Sequence, residues 1–407
     1  MTVDKINALG KTKLFKPLQV GANQLAHRVA YAPTTRFRAQ ANHVPSDLQV
    51  QYYDDRLKTP GTLLVTEATV VSAQAGGYPI VPGIWSEEQL KAWKAVVDRV
   101  HANKSFIAAQ LWNLGRTAYP KFLKAQGLDY VSASEVYDTE ERRKAAEDAE
   151  NPLRALTTEE VDQLIDEVYP NAAKQAMDAG FDYVELHGAH GYLLDQFLQP
   201  TTNKRTDKYG GSIENRARLI LAIIDKLGEQ IGYEKIAIRL SPWAQFEGMK
   251  GKDAEVHPIA TFGYLLSEFQ RRADVGKKLA YVSVVDPRVA TMADRTVNVA
   301  EENNDFVPLI WKGPIMKAGN YTYDAPEFTS LLQDIENDRT MIAFSRYYTS
   351  NPDLVERLRD GEALTPYERE FFYTSYNWGY NTFNRLGETK EFDEEKEKEH
   401  APQPVKA

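Results

Sequence analysis

Eight short segments rich in apolar and β-branched residues, separated by helical or turn-rich stretches, set the strongest limit on what this chain can fold into. They begin at residues 28–35 (RVAYAPTT), 62–70 (TLLVTEATV), 105–112 (SFIAAQLW) and 181–187 (FDYVELH). They continue at 235–242 (KIAIRLSP), 279–287 (LAYVSVVDP), 314–320 (PIMKAGN) and 340–346 (TMIAFSR). Strands that alternate with helices pair in parallel through right-handed crossovers, and eight in one chain favour closure into an α/β fold of the (β/α)8 TIM-barrel type. Between the strands, Ser86 and Gln89 form a capping box ahead of the apolar stripe Leu90, Trp93, Val96, Val97 and Val100. Thr157 and Glu160 open a second helix through Val161, Leu164, Ile165 and Val168 that stops near Gly180, with Pro170 expected to kink or split it. Further helices are expected at roughly 212–228, 262–273, 326–335 and 351–358.

Two segments fall outside the repeat. Residues 14–29 (LFKPLQVGANQLAHRV) predict a hairpin with GAN as its turn, placed to plug the lower end of the barrel. Residues 114–151 form an insertion after the third strand, and its run EERRKAAEDAE predicts a solvated helical face. The barrel is expected to occupy residues 1–385 as one domain, and the charged stretch 386–407 is expected to be a frayed, solvent-exposed tail.

Composition narrows the function. With 43% hydrophobic residues in 407, the chain can bury a large core, and no apolar run has the length of a signal peptide or a bilayer span. A cytoplasmic protein without a membrane partner is expected. Lys and Arg number 49 against 58 Asp and Glu, a net charge of -9, which disfavours nucleic acid as a partner. The absence of cysteine excludes disulfides, thiol nucleophiles and cysteine-ligated iron–sulfur clusters.

The chemistry concentrates at strand ends. In VELHGAHGYLLDQFLQPTTNKRTDKYGGSIENRARL (residues 184–219) the fourth strand stops on His187, and the turn at Gly188 and Gly191 brings His190 and Tyr192 to the same rim. The C-terminal rim of such a barrel is where catalytic groups sit. Packed core histidines are one alternative. A zinc pair is another, although its third ligand would have to come from a carboxylate such as Glu185 or Asp195. Other strand ends carry Pro33, Thr34, Thr35 and Arg36; Gln110 and Trp112; Arg239; Ala318, Gly319 and Asn320; and Ser345 and Arg346. Gln110 and Arg239 can pair with the carbonyls and nitrogens of a planar heterocycle. Backbone N–H groups near Gly319 and Arg346 suit a phosphate. These features point to FMN, and no GxGxxG fingerprint marks a Rossmann-type dinucleotide site.

The motifs LFKPLQVG, APTTRFRA, GTLLVTEATVVSAQAGGY, QLWNLGR, the 184–219 segment, IRLSP, VVDPRV, IWKGPIMKAGN and FSRYYTSNPDL together resemble the Old Yellow Enzyme family of flavin-dependent ene-reductases, most closely its yeast branch. The resemblance implies that Thr35 hydrogen-bonds the flavin O4, that Gln110 and Arg239 hold the pyrimidine edge and N1 side, and that Pro33 lies near the ribityl chain. It places Gly319, Asn320, Ser345 and Arg346 at the phosphate and Ala68 beside the flavin. His187 and His190 would bind the substrate carbonyl oxygen and Tyr192 would donate a proton, while Tyr78, Trp112, Phe246, Pro287, Phe372 and Tyr373 would wall the pocket. The implied activity is NADPH-dependent reduction of the C=C bond of enones or nitroalkenes, by a chain that can exist as a homodimer. Ser345 and Ala68 stand where the family often has glycine; a positive φ at Ser345 would be strained. Two rival functions are a metal-dependent barrel hydrolase or aldolase using His187 and His190, and a non-catalytic flavin- or phenol-binding protein.

Overall fold

A computed structural model describes residues 5–289 and 301–405. Eight strands form one sheet: β1 (Val29–Tyr31), β2 (Leu63–Val65), β3 (Phe106–Trp112), β4 (Tyr183–Gly188), β5 (Ile236–Leu240), β6 (Tyr281–Val285), β7 (Ile315–Ala318) and β8 (Thr340–Phe344). Each pairs in parallel with its sequence neighbours, and β8 pairs with β1, so the sheet closes on itself. All eight expected strands are present but shorter than the apolar runs; β3 and β4 are trimmed at their N-terminal ends and the others stop before the C-terminal end of the run. In the second run, Thr66, Glu67 and Ala68 break the pattern before a two-residue strand, Thr69–Val70, pairs further up β3.

The helices follow local rules. Ser86 and Gln89 exchange their capping hydrogen bonds at the start of helix Glu87–Ala102, and Thr157 and Glu160 do so at the start of Thr158–Gln163. Pro170 does not split the helix. A π-helical turn, Leu164–Val168, runs straight into helix Tyr169–Ala179, where Pro170 sits in the first turn and its missing N–H costs no bond. Gly180, at φ 94°, ends it.

Below the barrel, strands Leu18–Val20 and Asn23–Leu25 form the expected hairpin around Gly21. Its buried Leu18, Val20 and Leu25 pack with Leu63, Ala108, Met316 and Met341 from the barrel interior. The Tyr183 hydroxyl donates to Val20 O at 2.8 Å, so the floor is closed by apolar contact and a satisfied polar atom.

The charged run of the insertion forms the expected solvated helix, Glu140–Asp148, with most of its side chains exposed. Arg142 on it turns inward and pairs with Glu247 Oε2 at 3.1 Å. One expectation is corrected. The tail is not frayed: helix Glu394–Glu399 docks on Asn377, whose amide donates to Glu397 Oε2 at 2.6 Å, and Asp47 N donates to Gln403 O at 3.0 Å. Its charges face water while its backbone meets the body of the protein.

Candidate active site

The upper interior of the barrel is lined by small and polar residues where the floor is lined by large apolar ones. Ala32, Ala318 and Ala343 face a cavity of about 130 Å³ that is also bounded by Pro33, His190, Arg239 and Phe246. Gly319, Asn320, Ser345 and Arg346 close its outer end, as their positions after β7 and β8 lead one to expect. Gly319 has φ 152°, and a Cβ there would lie 2.6 Å from Asp286 Cβ, so only glycine lets this loop pass. Ser345 has φ -114°, so the strain that a positive φ would bring does not arise; its hydroxyl lies 2.8 Å from Thr34 Oγ1. Ala68 has no positive φ either, and it is buried in the break after β2.

His187 is the last residue but one of β4 and faces inward. His190 follows at φ 56°, in a turn held from both sides: its N–H donates to Ser241 Oγ at 2.8 Å, and Gly191 N donates to Asp195 Oδ2 at 2.9 Å. Gln199 Nε2 donates to the other oxygen of Asp195 at 2.7 Å, so Asp195, raised by weighed burial to about 6, supports the turn and is not aimed at the cavity. Tyr192 then begins helix Leu193–Leu198 as its N-cap. The His187 ring centroid is 5.9 Å from that of His190 and 4.7 Å from that of Tyr192. Trp112 contacts Tyr192 edge-on at 4.9 Å, and Phe246 does the same to His190 at 4.9 Å.

Burial, followed by the charges of neighbouring groups, pulls His187 well below the ordinary histidine range, and burial beside Arg239 brings His190 to about 3. Both rings are therefore neutral at physiological pH. His187 Nδ1 and His190 Nε2 are buried and have no hydrogen-bond partner in the protein. Burial also pushes the Tyr192 phenol well above its usual value, so it stays protonated. Among the described residues no group of three or more His, Asp or Glu side chains is placed to hold a metal ion. The zinc reading of the histidine pair thus lacks its third ligand among the described residues: both Asp195 oxygens are occupied, and Glu185 forms no such group with the two histidines.

The remaining expected residues are placed as follows. Gln110 lies inside β3 and donates its amide to Glu185 Oε1 at 2.8 Å. Arg239 lies inside β5 with its Nε unpartnered. Thr35 is half-buried just past β1 and outside the lining of the cavity. Tyr78 packs against Trp112, and Pro287 is buried at the start of the turn Pro287–Val289. Phe372 and Tyr373 stand at the rim, and Tyr373 is 53% exposed. They are brought there by Arg36, which was expected only as a strand-end residue: its Nε donates to Phe372 O at 3.0 Å and its Nη2 to Gly379 O at 2.9 Å. The sequence does not reveal the contact in which Arg116 Nη2 donates to the carbonyl of Glu247, the residue after Phe246 of the cavity lining, at 2.6 Å. Nothing local in either segment signals a contact across 131 residues.

A family model described as NADH:flavin oxidoreductase / NADH oxidase matches residues 13–365. The chain belongs to this family. It is 54% identical over 381 residues to a probable NADPH dehydrogenase of Candida albicans, covering 93% of this chain and 92% of that protein. It is 44% identical to enoate reductase 1 of Kluyveromyces lactis, covering 91% and 94%. In structure it is similar to Old Yellow Enzyme from Pichia sp. AKU4542, with a TM-score of 0.92 and 48% identity over 98% of this chain and all of that one. The resemblance to the Old Yellow Enzyme family read from the motifs is confirmed, and with it the TIM barrel and a flavin-dependent oxidoreductase whose cofactor is FMN. The residues present fit that cofactor: a floor of alanines admits a flat ring, Arg239 offers an unpartnered guanidinium nitrogen, and the Gly319 turn has no room for a side chain.

Proposed function

We propose that the protein is an NADPH-dependent ene-reductase that reduces the C=C bond of α,β-unsaturated carbonyl and nitro compounds. The observation that carries this reading is the pair of neutral imidazoles, each with a buried ring nitrogen lacking a partner, beside a protonated phenol. FMN, when bound, supplies hydride transfer between NADPH and the alkene β-carbon. Gln110 and Arg239 would hold its pyrimidine edge and N1 side, Thr35 its O4, and Pro33 would lie by the ribityl chain. Gly319, Asn320, Ser345 and Arg346 would take the phosphate, and Ala68 would lie against the ring.

With their N–H groups at Nδ1 of His187 and Nε2 of His190, the two imidazoles donate to the substrate's carbonyl or nitro oxygen, where negative charge builds. One such preorganised donor is commonly worth about 3 kcal/mol, and it acts here in a site that largely excludes water. Tyr192 gives its proton to the α-carbon, a task suited to a phenol that burial keeps protonated. Trp112, Tyr78 and Phe246 orient the planar substrate, with Pro287, Phe372 and Tyr373 at the outer wall. NADPH and alkene use the same pocket in turn, giving ping-pong kinetics. The same reading places the enzyme in the cytoplasm, as a monomer or homodimer that size-exclusion chromatography distinguishes.

The test is one anaerobic titration of the purified protein. NADPH is expected to bleach a yellow FMN spectrum, and cyclohexenone to restore it. A flavin that NADPH does not bleach would identify a non-catalytic flavin binder, and colourless, chelator-sensitive protein would identify the metal-dependent rival.

A further inference from the structure

Glu185 is a carboxyl group in the middle of the barrel, with none of its surface exposed. It lies two residues before His187 on β4, so both side chains point inward. In register it faces Gln110 on β3 and Ala237 on β5, two residues below Arg239. Its Oε1 accepts from Gln110 Nε2 at 2.8 Å, while its Oε2 is buried with no partner. Burial raises its carboxyl above the usual carboxylate range, and the charge of Arg239, the nearby Tyr281 phenol and the Gln110 amide oppose that rise and favour the charged form. A wholly buried carboxyl is costly to keep, and apolar residues fill the same interior one layer below. It belongs to none of the roles given above to His187, His190 and Tyr192.

We propose that Glu185 is a positioning residue for the flavin, which orients the Gln110 amide and offsets the Arg239 guanidinium through space, so that the flavin meets a partly compensated charge and not a bare cation. A carboxylate only accepts, so it draws the NH2 end of Gln110 toward β4 and leaves the amide oxygen to face another way. The same negative charge offsets that of Arg239 in a low-dielectric interior, where charge pairs act strongly. Reduction adds negative charge to the isoalloxazine ring. An Arg239 without its counter-charge would favour the reduced form, so Glu185 holds the flavin potential down and keeps hydride donation to the alkene favourable.

This inference rests on Gln110 and Arg239 meeting the flavin, and the experiment separates the two ideas. Glu185→Gln keeps the size and an accepting oxygen but removes the charge. Its bound FMN is expected to have a more positive midpoint potential, by a tenfold or larger rise in the ratio of reduced to oxidised flavin at a fixed poise, which is about 30 mV for a two-electron couple. Tyr281→Phe removes the phenol that interacts with the carboxyl and is expected to shift the potential in the same direction by less. It decides the matter if Glu185→Gln retains no flavin. Potentials within twofold of the wild-type ratio in the variants that hold FMN would overturn the inference, because a purely structural role would lower thermal stability without moving the potential. Arg239→Ala is the control for the site itself: unchanged FMN affinity and potential there would overturn the placement of the flavin, whatever Glu185 does.

Discussion

The two ends of the barrel are built on opposite principles. At the lower end the hairpin drives Leu18, Val20 and Leu25 against Leu63, Met316 and Met341, and the Tyr183 hydroxyl meets Val20 O. At the upper end Trp112 Nε1, His187 Nδ1, His190 Nε2 and Arg239 Nε are buried without partners. Buried atoms without partners also occur below, at Arg28 and the Tyr281 phenol, but these four gather at one rim, where His190 and Arg239 border the cavity and a bound group can meet them. The lower end secures the fold, and the upper end holds donors out of contact with one another.

The sharpest test of that contrast acts on the upper end. Tyr192→Phe is expected to keep FMN and to accept hydride from NADPH at near wild-type rate, yet to reduce cyclohexenone about 100- to 10,000-fold more slowly, the usual worth of a positioned proton donor. Stopped-flow of the two half-reactions separates them. A nitroalkene serves as internal control, because its nitronate is stable enough to leave without protonation. Equal impairment with both substrates would mean a disturbed pocket.

At the lower end, Leu25→Ala is expected to cost about 2 to 5 kcal/mol of stability by opening a cavity, with the oxidative half-reaction unchanged once folded. Urea unfolding of the holoenzyme measures the loss. A comparable fall in the half-reaction rate would erase the distinction between the two ends.

Arg346→Ala probes the outer edge of the cavity and should weaken FMN by about 1.5 to 3 kcal/mol, seen as a raised dissociation constant in fluorescence titration. Retention at wild-type affinity would move the phosphate elsewhere.

A smaller effect should come from acid. His27, near the floor, is brought by burial to about 4, its Nδ1 accepting from Val29 N at 3.2 Å. Its folded value lies below the unfolded 6.5, so the stability it contributes is full above about pH 6.5 and is lost as pH falls toward 4. The loss should be on the order of 2 kcal/mol by pH 5. His190 adds to the same slope from the other end, with its own loss extending toward pH 3. His27→Gln should flatten the fall in urea midpoint between pH 7 and pH 5; an unchanged slope would show that the floor does not sense acid.

The strands were legible because each is a run of apolar residues of strand length, and the helices because capping boxes such as Ser86 with Gln89 are written in four consecutive residues. The histidines and Tyr192 were legible for the same reason: strand, turn and helix start lie within ten residues of one another. That Pro170 disturbs the helix was legible, but the form this takes, a π-helical turn at Leu164–Val168, leaves no mark in the residue pattern. The tail was misread because its composition is that of a solvated chain, while the bonds that dock it are made by backbone groups at Gln403 and by one Glu397 carboxylate.

By itself, then, the sequence determined the barrel, its plug, the rim where the proposed catalytic residues gather and the family to which the chain belongs, since all of these rest on local periodicity and short motifs. Tertiary structure alone decided which polar atoms go unpartnered, that Ser345 escapes strain, and that Glu185 stands between Gln110 and Arg239. Those outcomes depend on strand register and on burial, which arise only when segments 50 or more residues apart are packed side by side.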